Sequence, residues 1–151
     1  MQSIEICRAT DEDREWTAEL LAGSEPWITL GSTLDRCRAS CCNPEYQVYV
    51  ARSEGTPCGA IVLHPRGLAS SPYVKSVAIA EDFRQRGLGT ALMDFAEDLF
   101  RGESRHIFLC VSSFNTRARA FYERRGYRAV GEFVDYVIEG ASEILMHKRL
   151  R

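Results

Sequence analysis

The stretch that most restricts the fold is residues 77–90, where an apolar segment, Val77-Ala78-Ile79, leads into Arg84-Gln85-Arg86-Gly87-Leu88-Gly89-Thr90. The first segment reads as a strand and the glycine-bearing piece as a turn. From Leu88 onward, Leu88, Leu92, Phe95 and Leu99 recur at helical spacing on one face. Gly87 and Gly89 remove side chains where the backbone enters this helix, so its first amides can face outward and a large anion can approach them. Those amides lack internal partners, and the helix dipole favours negative charge beside them. Arg84 and Arg86 flank the site, which suits a phosphate or pyrophosphate. The alternative is a plain surface turn, because neither the dinucleotide fingerprint nor a Gly-Lys-Ser/Thr triphosphate loop is present.

The 151 residues fit one domain over residues 1–151. With 19 basic against 21 acidic residues the net charge is -2, so no global field recruits nucleic acid and any anion must be held locally. No apolar run approaches the roughly 20 residues of a membrane span, and residues 1–8 lack an apolar signal segment, so a cytoplasmic protein without membrane contact is expected. Cys7, Cys37, Cys41, Cys42, Cys58 and Cys110 contain no Cys-x-x-Cys pair, and His64, His106 and His147 are scattered singly. Mostly buried apolar thiols are expected, rather than a disulfide framework or a metal centre.

In chain order, residues 5–9 alternate as a strand, and Thr10 or Asp11 caps a helix to about Leu21. Glycine and proline punctuate residues 23–31, a segment with the composition of a binding loop or of a packed connection, and residues 34–42 form a short helix. Residues 46–51, 58–64 and 73–79 read as a three-strand meander, with Pro65 and Gly67 breaking the second strand. After the long helix, residues 106–111 are an almost continuous apolar strand. Ser112, Ser113 or Asn115 caps a further helix, which Gly126 ends. Segments 127–130, 133–138 and 143–150 alternate as closing strands. The expected class is α/β, a mixed and mostly antiparallel sheet with helices on both faces.

At this point the chain resembles the GNAT superfamily of acetyl-coenzyme A-dependent N-acetyltransferases. Residues 77–90 look like its coenzyme-binding motif of the form Arg/Gln-x-x-Gly-x-Gly/Ala. Residues 115–127, with Asn115, Arg119, Phe121, Tyr122 and Gly126, look like its second motif. The resemblance implies central splayed parallel strands, an acetyl-CoA pyrophosphate on the amides of Gln85, Arg86, Gly87, Leu88, Gly89 and Thr90, and pantetheine along Val77, Ala78 and Ile79. Asn115 would reach the coenzyme while also able to cap its helix, Phe121 would line the channel, and Arg119 or Arg117 would meet the phosphates or simply face solvent.

Acetyl transfer from a thioester needs a neutral amine, oxyanion stabilisation and a proton for the departing thiolate. Tyr122 matches the family's tyrosine and is the expected general acid. A base is harder to place. Some members carry a glutamate in the strand before the glycine loop, where this chain has Tyr73. The ribosomal-protein N-terminal alanine acetyltransferases, which the chain also resembles, carry one early in the following strand, where it has Cys110. Glu25, His64, Asp135 and Glu139 are alternatives. For the acceptor, Glu25 and Trp27 would face Tyr136 and Glu139 across the substrate end of the slot, admitting a small amine or a peptide N-terminus. The competing reading is a non-catalytic acyl-CoA-binding or regulatory module. The C-terminal strands offer an edge for a homodimer, with a monomer as the alternative.

Overall fold

The computed structural model describes residues 3–151. Strand β1 (Ile4–Arg8) leads to α1 (Asp11–Ala22) and α2 (Leu34–Cys42). A meander follows, of β2 (Gln47–Ser53), β3 (Thr56–Leu68) and β4 (Ser71–Ile79). A 3-10 turn over Glu81–Phe83 precedes α3 (Leu88–Arg101), then β5 (His106–Ser112), α4 (Thr116–Arg124), β6 (Arg128–Phe133) and β7 (Glu143–Arg149). The strands form one seven-stranded sheet in the order β1-β2-β3-β4-β5-β7-β6, with β4 and β5 its parallel pair.

Alternation along β3 divides the core. Ala60 and Val62 face α1 and α2, meeting Ala18, Leu21, Cys37 and Cys41, whereas Ile61 and Leu63 face α3, meeting Leu92, Met93 and Ala96. The expected mixed sheet with helices on both faces is thus present. No helix among the described residues is long and apolar enough to cross a membrane. Cys37, Cys41 and Cys58 are buried, Cys110 is half-buried, and Cys7 and Cys42 are exposed, all six as free thiols.

Local signals set most boundaries. Thr10 caps α1 through a capping box with Asp13 (3.0 and 3.2 Å), and Thr33 caps α2 by accepting from the Arg36 N–H at 3.2 Å. Three expectations are corrected. Residues 133–138 are not a strand: β6 ends at Phe133, and Asp135 takes a positive φ of 53° in the turn that follows. Alternation there has no neighbouring strand to pair with. Strand β3 is not broken at Pro65 but runs to Leu68 through a register shift after His64, which absorbs the proline outside regular pairing. The buried row of α3 continues from Leu88 and Leu92 through Ala96 to Phe100. Phe95 is half-buried against the Tyr49 ring (4.7 Å between centroids), and Leu99 is 38% exposed.

Candidate active site

The parallel pair β4–β5 is joined through Tyr73 with Phe108 and Val74 with Leu109, and pairing stops there. Beyond Val74 the two strands diverge. On the β3 side the Ala80 N–H donates to the Cys58 carbonyl at 2.8 Å. By the two-residue alternation of a strand, the backbone groups of Val77 and Ile79 therefore turn away from β3, toward the gap. The Ile79 carbonyl there accepts from Arg84 Nε at 3.2 Å.

The start of α3 opens onto this gap. Gly87 adopts the left-handed conformation (φ 79°) and supplies no side-chain cap, in contrast to Thr10, Thr33 and Asn115 at the other α-helices. The orphan amides of α3 are therefore not satisfied by a capping side chain. Gln85 also has positive φ (63°), and at Gly89 an added Cβ would make only ordinary contact with the Phe121 ring, 3.6 Å away. A groove of about 850 Å³ runs past Val77, Ala78, Ile79, Arg84, Gln85, Gly87, Leu88, Gly89 and Thr90, with Asn115, Phe121 and Tyr122 on its far side. Of the expected cofactor residues only Arg86 lies outside this lining, with its guanidinium 5.4 Å over the Phe83 ring. Arg117 lines the groove, whereas Arg119 is turned to Glu123 at 3.1 Å.

Asn115 both caps α4, accepting from the Ala118 N–H at 3.4 Å, and lines the groove. Tyr122 follows on the inward side of α4, edge-on to Phe121 and Tyr127. Its hydroxyl makes no hydrogen bond to a described residue, and burial pushes its pKa up to about 12, so it stays protonated through the neutral range.

A second cavity of about 400 Å³ adjoins the groove, and Tyr122, Asn115, Ala118, Val77 and Glu25 line both. Trp27 and Leu30 wall one side, Phe133, Tyr136 and Val137 another, and Tyr73, Lys75, Cys110, Ser112 and Glu143 also line it. Glu25, Trp27 and Tyr136 are thus brought together, while Glu139 is exposed in the β6–β7 turn and lines neither space. The Tyr73 hydroxyl and the Cys110 thiol neighbour each other, within reach of a hydrogen bond. Burial chiefly, and then this contact, raise the Tyr73 pKa, whereas burial raises Cys110 against the opposing effect of the tyrosine hydroxyl.

Sequence reasoning passed over Glu143, whose only signal is a carboxylate opening the otherwise apolar run Ile144-Leu145-Met146. It is half-buried and accepts from Ser112 Oγ at 2.7 Å. Burial raises its pKa, and the Ser112 bond opposes that rise in part.

Residues 9–127 match the sequence model of the Acetyltransferase (GNAT) family, and the chain belongs to that family. It is 32% identical over 103 residues to an uncharacterised N-acetyltransferase of Methanocaldococcus jannaschii, an alignment that covers 67% of this chain and 65% of that relative. In fold it is similar to the ribosomal-protein-S18-alanine N-acetyltransferase from Escherichia coli, with TM-score 0.78, 16% identity, and 98% and 94% of the two chains covered. It is similar also to an aminoglycoside 6'-N-acetyltransferase complexed with coenzyme A, with TM-score 0.76, 18% identity, and 97% of each chain covered.

Proposed function

We propose that the protein transfers an acetyl group from acetyl-CoA to a primary amine. The observation that carries this reading is the uncapped start of α3 opening on a groove that joins a second cavity, with Tyr122 at the junction. The donor set fits the coenzyme. The amides of Gln85, Gly87, Leu88, Gly89 and Thr90 would hold its pyrophosphate, with Arg84 and Arg117 adding positive charge. Val77 and Ile79 would pair with its amide-bearing arm, and Phe121 and Asn115 would wall the channel. A protein of similar fold has been solved complexed with coenzyme A, which supports use of this coenzyme.

The coenzyme supplies the thioester acetyl group. Tyr122, protonated at neutral pH, gives its proton to the departing sulfur. Trp27 and Tyr136 cover an apolar acceptor body, and Glu25 draws in the ammonium form. With Lys75 opposing Glu25 and Glu143, the cavity suits an acceptor with one positive charge beside an apolar group, whether a small amine or a peptide N-terminus. Glu139, outside the cavity, acts only at long range. Incubation with acetyl-CoA and a panel of amines and short peptides, following coenzyme release and product mass, tests this. Acetylated products are expected.

The second reading, a non-catalytic acyl-CoA-binding module, draws on Tyr73 and Cys110 standing at the two positions where the family resemblance would place a glutamate. Tight acetyl-CoA binding without coenzyme release under any acceptor condition would establish it.

A further inference from the structure

Acetylation of an ammonium group needs a proton acceptor, and the candidates read from the sequence are each committed elsewhere. Both oxygens of Glu25 accept from Thr29, the N–H at 2.8 Å and the hydroxyl at 2.7 Å. His64 packs on Tyr46 with ring centroids 4.9 Å apart, outside both cavities. Asp135 Oδ1 accepts the Gly140 N–H at 2.8 Å and closes its own turn, and Glu139 is exposed.

Glu143 enters the acceptor cavity from a third direction. As the first residue of β7 it stands opposite Ser112 on β5 and Phe133 on β6. The residue before it is clamped, since the Ser113 N–H donates to the Ser142 carbonyl at 2.8 Å and the Ser142 N–H to Ser113 Oγ at 2.9 Å. Ser112 Oγ occupies Glu143 Oε2, while Oε1 makes no hydrogen bond to a described residue. One oxygen is thus fixed for orientation and the other is available, on the same cavity wall system as Tyr122.

We propose that Glu143 is the general base, its Oε1 taking a proton from the acceptor ammonium held in this cavity. The assignment rests on the acetyltransferase reading. The freed nitrogen lone pair forms the bond to the thioester carbonyl carbon, and the carbon–sulfur bond breaks as Tyr122 protonates sulfur. The remaining extra proton on nitrogen passes to the Tyr122 phenolate, and Glu143 returns its proton to solvent, so one proton is released per turnover. The groups facing Glu143 are Tyr73 and Lys75 from β4, Cys110 and Ser112 from β5, Tyr122 from α4, Tyr136 from the β6–β7 turn, and Glu25 from the loop after α1. Burial brings the Glu143 carboxyl upward toward the range where a base works best.

The test compares wild type, Glu143→Gln and Glu143→Asp across a pH series with two probes, 2-phenylethylamine and a tripeptide amide beginning with phenylalanine. Acetyl-CoA affinity is measured by calorimetry in parallel. Glu143→Gln is expected to lower kcat/KM about 100-fold for whichever probe is turned over, to leave coenzyme affinity unchanged and to flatten the acidic limb of the pH profile. Glu143→Asp should restore part of the rate and the acidic limb. The Gln amide oxygen can still accept from Ser112, and circular dichroism checks folding of both variants. Wild-type kcat/KM with an unchanged acidic limb in Glu143→Gln overturns the base assignment alone, as does a rise in KM with kcat and pH profile intact. Failure of the wild type to acetylate either probe or any member of the amine and peptide panel, while binding acetyl-CoA, overturns the acetyltransferase reading, and the base with it.

Discussion

Lys148 on β7 places its Nζ 2.6 Å from Oε1 of Glu97 on α3. The Glu97 side chain is 4% exposed, and its other oxygen receives the Tyr127 hydroxyl at 3.0 Å and Arg125 at 3.1 Å. Glu97→Ala would leave Lys148 facing a cavity without its anion, and Arg125 with Asp94 (2.7 Å) alone. Breaking such a buried pair costs about 3–5 kcal/mol, so the unfolding free energy extrapolated from a urea titration is expected to fall by about that amount, with a lower midpoint. An unchanged midpoint would show that the network holds no stability.

Tyr122→Phe removes the proton proposed for the thiolate while keeping the aromatic packing against Phe121 and Tyr127. Turnover should fall by about 100-fold with acetyl-CoA affinity nearly unchanged. Because the phenol sits up near 12, its ionisation should impose no decline in wild-type rate between neutral pH and about 10. Undiminished turnover in the variant, with chemistry shown to limit the rate, would remove Tyr122 from the mechanism.

Gly87→Ala places a Cβ at φ 79° without a steric neighbour within 4 Å, so any loss comes from backbone strain rather than collision. A stability cost of about 1–2 kcal/mol follows from the left-handed conformation. Acetyl-CoA affinity, read by calorimetry, should drop about tenfold or more as the helix start relaxes to relieve the strain. Equal affinity in the variant would place the pyrophosphate elsewhere.

Asp13 links α1 to β2. Burial favours its neutral form, but hydrogen bonds from Arg52 and from the backbone and hydroxyl of Thr10 outweigh this and hold its carboxyl below the usual range. A depressed folded-state pKa gives stability that is present above the unfolded value and lost as pH falls through the folded one. Thermal melts should therefore show wild type exceeding Asp13→Asn at pH 7, with the difference shrinking below about pH 4. A difference independent of pH would assign the effect to packing.

Strand β6 forms the outer edge of the sheet and is exposed along its length, Val130 at 56%, and it leads into exposed Val134, Tyr136 and Val137. An open edge beside apolar side chains is suited to pairing with a second copy of the chain. Sedimentation should find a dimer that Val130→Lys shifts toward monomer. A monomer throughout a concentration series would reject this.

The parts legible in the sequence are those written by neighbours in the chain. Thr10, Thr33, Asn115 and the Gly87-Gly89 pair act within a turn or two of themselves, so helix starts and the anion-facing loop could be located. Lateral relationships were not legible. The alternation of residues 133–138 resembles a strand because sequence does not display the missing partner, and on α3 the larger Leu99 is exposed while the small Ala96 is buried. Glu143 acquires its environment from Ser112, 31 positions away, and the thiol–phenol contact of Cys110 with Tyr73 likewise exists only across the β4–β5 junction.

Among the described residues, two bridging pairs, Tyr73 with Phe108 and Val74 with Leu109, stitch β1–β4 to β5–β7 through the backbone. Mechanically the sheet is two plates sharing a short hinge line. A molecule laid along Val77 and Ile79 occupies the lane an eighth strand would fill, so ligand and protein would share one hydrogen-bonded fabric, and occupancy would stiffen the hinge as well as fill the gap. A substitution that zipped the two plates together further along would make a firmer sheet and, in the same stroke, a protein with nowhere to bind.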